Sequence, residues 1–177
     1  MKIFSQYSAT AFVLFTLFLV TSCQSNQLDV DISDIKVDLK VKRFEEDLFN
    51  NKLNSLNEFQ NKYPAFLTDY GIGIIGFNVN NEEELFNQLM LFKTDIRSKE
   101  LYNLVHKKYE KFKPYEDELN TAYRYFKYHF PKEQIPDIVT YTSNFSFYIN
   151  PVGENYIGIA LDMHMGSDFK YYDYANI

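Results

Sequence analysis

Asp137-Ile138-Val139-Thr140-Tyr141-Thr142 and Tyr156-Ile157-Gly158-Ile159-Ala160-Leu161 decide how this chain is read. Both are short runs rich in β-branched and aromatic residues, and residues 144–149 share that character. Pro136 precedes the first, and the turn-forming Asn150-Pro151-Val152-Gly153-Glu154-Asn155 lies before the last. This is the composition and punctuation of strands. Upstream the period changes. Leu85, Leu89, Phe92 and Ile96, flanked by Phe86 and Met90, recur at helical spacing, as do Leu101, Leu104, Val105 and Phe112, and then Tyr115, Leu119, Tyr123, Phe126 and Phe130. Helices followed by a β-hairpin predict an α+β domain with a small, mostly antiparallel sheet.

Local signals punctuate the helices. Asn80 or Asn81 caps the first, with Glu82, Glu83 and Glu84 in its opening turn, where carboxylates complement the dipole. Ser98 is the expected cap of the second, and Pro114 suits the first turn of the third. Further upstream, residues 35–41 alternate Ile, Val, Leu and Val with Lys, Asp and Lys, which predicts a half-buried strand. Phe44, Leu48, Phe49, Leu53, Leu56 and Phe59 continue as one helical pattern up to Pro64. Gly71 to Gly76 reads as a flexible break.

The strands look poorly provided for. A two-stranded ribbon is marginal in water without further cover, and the aromatic tail 169–177 follows no clear period. The sheet is therefore expected to be incomplete and the chain to be the first part of a longer domain.

At the amino terminus, Met1-Lys2 is followed by the apolar run Ala11 to Val20 and then by Thr21-Ser22-Cys23. A charged start, an apolar middle and small residues before a cleavage point make a secretory signal peptide. The run is shorter than the roughly 20 apolar residues of a spanning helix. A cysteine just after the cleavage point marks a bacterial lipoprotein, whose thiol takes a diacylglycerol. The expected organisation is a signal over residues 1–22, a lipid-anchored tether over 23–34 and an α+β domain over 35–177. Cys23 is the lipidation site, and acyl chains hold the protein to a membrane without spanning it.

Composition narrows the classes. The chain has 177 residues and a formal net charge of −6, so it offers no basic field for nucleic acid. Cys23 is its only cysteine, which leaves a lipidated chain with neither a disulfide framework nor a thiolate metal site. Tyr and Phe supply all of the 18% aromatic content.

No catalytic constellation is visible, and neither a metal nor a cofactor is expected. Gly71-Ile72-Gly73-Ile74-Ile75-Gly76 matches the dinucleotide-binding spacing in letters only. That motif needs a buried strand before it and a helix opening within the glycines, so a flexible or tightly packed loop is the better reading. Asp29, Asp31, Asp34 and Asp38 lack the glycine and terminal glutamate of a calcium loop. His106, His129 and His164 show no zinc-protease spacing. Asp162 and His164, just after a strand, are the one carboxylate–imidazole pair close in sequence.

Several segments together resemble the GldB family of gliding motility lipoproteins. They are the signal ending at Cys23, Ile35-Lys36-Val37-Asp38, Val41-Lys42-Arg43-Phe44-Glu45-Glu46-Asp47-Leu48-Phe49 and Tyr63-Pro64-Ala65-Phe66. Phe130-Pro131 with Ile135-Pro136 and Ile157-Gly158-Ile159-Ala160-Leu161-Asp162-Met163-His164-Met165-Gly166 complete the set. The resemblance implies a membrane-attached envelope protein required for gliding, a process tied to the secretion system that delivers surface adhesins. Its implied partners are other gliding or secretion machinery proteins, and it also implies a distant relation to zinc metallopeptidase-like domains. Only Cys23 carries over as a functional position. GldB-type proteins usually continue beyond the length of this chain. The leading expectation is thus a non-enzymatic, lipid-anchored protein acting through contacts, facing the periplasm because no acidic run follows Cys23. The alternatives are a zinc metallopeptidase-like enzyme whose metal helix lies beyond this chain, and a ligand-binding lipoprotein with a tyrosine-lined pocket.

Overall fold

Parallel pairing, not a hairpin, organises the sheet. In a computed structural model that describes residues 30–146, 152–153 and 155–175, strand β1 (Val41–Arg43) lies alongside β2 (Asp137–Tyr141), with Val41 opposite Ile138. Strand β4 (Tyr156–Ala160) flanks β2 on its other side, also parallel, with Asp137 opposite Tyr156 and Tyr141 opposite Ala160. The two-residue β3 (Val152–Gly153) is antiparallel to β4, giving the order β1-β2-β4-β3. The mostly antiparallel sheet expected from sequence is therefore corrected. Parallel neighbours need a connection of a dozen or more residues, and 142–155 supplies one. Inside the expected turn, residues 152–153 themselves pair with β4 in a minimal antiparallel hairpin.

Two strand expectations fail for local reasons. After Ser143 the backbone turns through positive φ at Asn144 (56°) and Phe145 (62°), which ends any extended run there; residues 147–149 lie outside the described residues. Residues 35–40 keep the alternation, with Ile35, Val37 and Leu39 half-buried and Lys36, Asp38 and Lys40 exposed. They pair with no strand among the described residues; the ladder starts where Ile138 N donates to the Lys40 carbonyl at 2.8 Å.

The single helix read over residues 44–63 is two. Helix α1 (Phe44–Phe49) stops before Asn51, whose φ is 54°, and α2 (Leu56–Lys62) starts at a capping box between Ser55 and Glu58. Pro64 ends α2 as expected. Helix α3 (Phe66–Thr68) runs into a wider π-type turn, Asp69–Ile74. The glycine-rich segment is thus helical and packed: a Cβ on Gly71 would run into Leu85 Cδ1, so any other residue here would make that buried side chain shift. Gly76 closes the turn at φ 82°.

Helix α4 (Glu82–Phe92) is capped by Asn81, whose Oδ1 accepts from Glu84 N at 2.9 Å. Helix α5 (Ile96–Tyr109) is capped by Asp95 and not by Ser98, which is buried in the first turn. Ile96, expected on the α4 stripe, instead opens α5 and is 82% exposed. Helix α6 (Lys113–His129) carries Pro114 in its first turn. A 3₁₀ turn, Leu161–His164, follows β4, and a short helix, α7 (Tyr171–Ala175), comes last.

Successive strand residues point to opposite faces of a sheet. Val139, Tyr141, Tyr156 and Ala160 meet a core of Phe44, Leu48, Phe59, Tyr63, Phe66, Leu67, Tyr70, Leu85 and Leu89. Val41, Ile159 and Leu161 meet Leu101, Val105, Tyr109 and Phe112. Residues Ile35–Ile177 form one compact unit. Ahead of it in the chain, Ser33 N donates to Asp31 Oδ1 at 2.8 Å. The tail also finds partners: Phe169, Tyr171 and Tyr172 surround the Phe145 ring, and the Tyr172 hydroxyl donates to the Asp162 carbonyl at 2.8 Å.

Candidate functional site

Because β1, β2 and β4 are parallel, their carboxyl ends share one edge of the sheet. Open parallel sheets present their chemistry at such an edge. Here it receives Glu45, Glu46 and Asp47 at the start of α1, Thr142 and Ser143 after β2, and Asp162 after β4, all of them buried.

Arg43 organises the first group. Its Nε donates to Glu45 Oε1 at 2.5 Å, and its terminal nitrogens reach Glu46 Oε1 at 3.5 Å and the Tyr109 carbonyl at 3.3 Å. The guanidinium carbon lies 4.3 Å from the centre of the Phe112 ring. Thr140 Oγ1 donates to the second oxygen of Glu45 at 2.8 Å. Glu46 Oε2 accepts from Asn50 Nδ2 at 2.7 Å and from the Tyr102 hydroxyl at 3.2 Å, while His106 Nδ1 stands 2.7 Å from Oε1. Asp47 Oδ2 takes the Tyr63 hydroxyl and the Lys62 ammonium, each at 2.5 Å. Buried carboxylates are tolerable only when paired and hydrogen-bonded in this way. Burial pushes the Glu45 carboxyl up despite the opposing Arg43. It also raises the Tyr63 and Tyr102 hydroxyls, to which neighbouring carboxylates add.

Asp162 organises the second group. Its oxygens accept from Ser143 N at 2.8 Å, Ser143 Oγ at 3.0 Å and Phe145 N at 3.0 Å. The left-handed residues Asn144 and Phe145 are what aim these donors at one carboxylate. Burial still raises the Asp162 carboxyl above the usual range, against those hydrogen bonds. Tyr70 donates to the Thr142 carbonyl at 3.0 Å, and the buried Tyr141 hydroxyl has no partner among the described residues.

Next to Phe112 a groove of about 490 Å³ opens between α6 and the sheet. Tyr109, Phe112, Tyr115, Leu119, Ile159 and Leu161 line it, with Glu118 and His164 as its charged or titratable members. Burial pushes the Tyr109 hydroxyl up to about 12; it donates to the His164 carbonyl at 2.6 Å, as does Lys108 Nζ at the same distance. None of the α6 residues is buried, although its apolar stripe is pronounced. Its Tyr115 and Leu119 face an open groove instead of a closed core.

These groups are committed to one another. Nucleophilic catalysis needs a hydroxyl or thiol beside a base that a third group orients. Ser143 Oγ is bound to Asp162, and Glu46 with His106 supplies a carboxylate–imidazole pair whose nearest hydroxyl, that of Tyr102, is 3.4 Å from the same Nδ1. Among the described residues no three His, Cys, Asp or Glu side chains are placed to share a metal ion. Asp162 and His164 are not brought together: Asp162 holds the 143–145 turn, while His164 is exposed and tied through its carbonyl. His129 is exposed at the end of α6, and Cys23 lies outside the described residues. No described helix is long and apolar enough to cross a membrane.

Glu45, Glu46 and Asp47 are what the sequence reading missed as a site. Three acids at a helix start look like exposed dipole partners. The available signal was Arg43-Phe44 just before them, a cation and an aromatic closing a strand.

Residues 25–177 match the family described as gliding motility protein GldB. None of the curated proteins matches this chain, and none of the solved structures does.

Proposed function

The chain belongs to the GldB family of gliding motility proteins, and on that premise we propose that it is a lipid-anchored protein of the cell envelope acting through protein contacts. The family match across residues 25–177 carries this reading. Cys23, placed after an apolar signal, supplies the anchor, and the mature domain faces the periplasm. Its partners are other proteins of the gliding or secretion machinery. The paired carboxylates at the sheet edge support a rigid platform, and the groove beside α6 offers an open, largely apolar surface to a partner. Chemistry on a substrate is not part of this proposal.

A deletion strain tests it. Loss of the gene abolishes spreading, the wild-type allele restores it, and Cys23→Ala yields a folded protein that neither takes up labelled fatty acid nor stays with membranes. Normal spreading in the deletion strain, or labelling of the mutant equal to wild type, overturns the proposal. Purified mature protein cleaves no peptide with or without added zinc. Metal-dependent cleavage that is lost on changing His164 would establish an enzyme instead.

A further inference from the structure

The carboxyl end of α6 displays two aromatic rings to solvent. Tyr128 is 46% and Phe130 is 54% exposed; His129 meets Tyr128 edge to face at 5.0 Å between ring centres, and Phe126 lies tilted against Phe130 at 5.2 Å. Basic side chains surround this tip. Arg124 and Lys127 lie on the last turns, Lys132 follows, and Glu133 is the single acid between Arg124 and Pro136. Lys127 Nζ covers the helix end by donating to the Pro131 carbonyl at 3.0 Å and to that of Glu133 at 2.5 Å.

The chain reaches this same place from its amino terminus. Arg124 Nε donates to the Ile35 carbonyl at 3.0 Å, which pins the first residue of the domain to α6 one helical turn before Tyr128. Ile35 stands only twelve positions after Cys23, so the two are at most about 43 Å apart. An acyl chain on Cys23 therefore keeps the bilayer within that reach of the point where the tether meets α6.

We infer that the tip formed by Tyr128, Phe130 and the basic residues around them is the surface through which the anchored domain rests on the lipid headgroups. Tyrosine and phenylalanine suit the boundary between headgroups and acyl chains, where a ring is buried and a polar edge stays wet. Lys132, exposed at the same level, extends its charge towards anionic lipid. Other exposed apolar side chains, such as Leu91 and Ile96 at the turn between α4 and α5, also have basic neighbours in Lys93, Arg97 and Lys99; what sets the α6 tip apart is that Ile35, where the tether leaves the domain, is pinned beside it. The tip of α6 is therefore the lipid-facing end. The inference rests on the proposal of an anchor at Cys23.

The sequence makes the test clean, because it contains one cysteine and no tryptophan. The mature chain from Cys23 is coupled through that thiol to a maleimide lipid in vesicles of phosphatidylethanolamine and phosphatidylglycerol. This supplies the anchor chemically, whether or not cells lipidate Cys23; fatty-acid labelling in cells tests that separately. Phe130→Trp is expected to emit further to the blue on vesicles and to be quenched at least threefold by acyl chains carrying bromine. Leu91→Trp is expected to be quenched less than 1.2-fold. As a measurement without substitution, amide exchange over residues 124–135 slows at least fivefold on vesicles compared with the uncoupled protein. Equal quenching at both positions overturns the inference, and so does unchanged exchange over 124–135 on vesicles. Protection of that segment only when envelope proteins are added, and not on protein-free vesicles, would assign the tip to a protein partner and overturn it too.

Discussion

The two faces of the sheet are built to opposite standards. On one, Phe44 is fully buried, and the rings of Phe59, Tyr63, Phe66 and Tyr70 stand 4.6 to 5.9 Å from it, mostly edge to face. On the other, α5 packs down on Leu161, but α6 stands off and leaves a groove lined by Tyr115, Leu119 and Ile159. The first face encloses its aromatics, and the second leaves them within reach of a partner. Aromatic content alone therefore says little about function; what matters is whether the facing helix closes.

The largest expected effect breaks the comparison outright if it fails. Phe44→Ala empties the centre of the closed face and should cost about 3–5 kcal/mol. Phe126→Ala on the half-exposed stripe of α6 should cost less than about 1.5 kcal/mol. Urea denaturation of both variants checks this, and equal losses would mean that α6 is as much core as α1.

A pH series sharpens the contrast at the sheet edge. Burial raises the Glu45 carboxyl above its value in the unfolded chain. Its contribution is thus fully present below the ordinary glutamate range and is lost as pH rises through the raised folded value. One such proton changes stability by at most about 1.4 kcal/mol per pH unit. Asp162 is shifted in the same direction by burial. The exposed capping carboxylates of Glu58, Glu84 and Asp95 are shifted down, chiefly by backbone N–H donors, and act in the opposite sense in acid. Between about pH 5 and 8, where those caps are already ionised, Tm should fall less steeply for Glu45→Gln than for the wild type. Parallel curves would show that Glu45 does not titrate across this window.

The smallest effects compare surface devices on the two sides. Ser55→Ala removes the capping box of α2 and should cost about 1 kcal/mol. Lys113→Ala removes the exposed pairs with Glu116 and Asp117 at the start of α6 and should change stability by less than about 0.5 kcal/mol. Thermal melts resolve the first, and a measurable loss in the second would mean that α6 is held more firmly than its open groove suggests.

Legibility followed the range of the interactions. Asn81 and Pro114 act within one turn of chain and were read correctly. Asp95 and Ser98 compete for the same cap, and the pattern favoured the wrong one. The capping box Ser55-Leu56-Asn57-Glu58 was present in the letters, yet the longer apolar period hid it. Residues 35–40 show the limit of periodicity: alternate side chains are half-buried as expected, but against neighbours that offer no ladder.

The sequence by itself determined the family, the α+β class and most helix positions. Each rests on residues close together in the chain or on an ordered set of short segments. Only the tertiary structure decided that β2 and β4 run parallel, that Gly71 makes room for Leu85, and that Phe145 receives the aromatic tail. It also decided that Glu45, Glu46, Asp47, Ser143 and Asp162 meet at one edge. Strand direction depends on where a connection of a dozen residues returns, and burial of a carboxylate depends on partners such as Thr140, which is 95 positions from Glu45. Neither quantity has a local period to read.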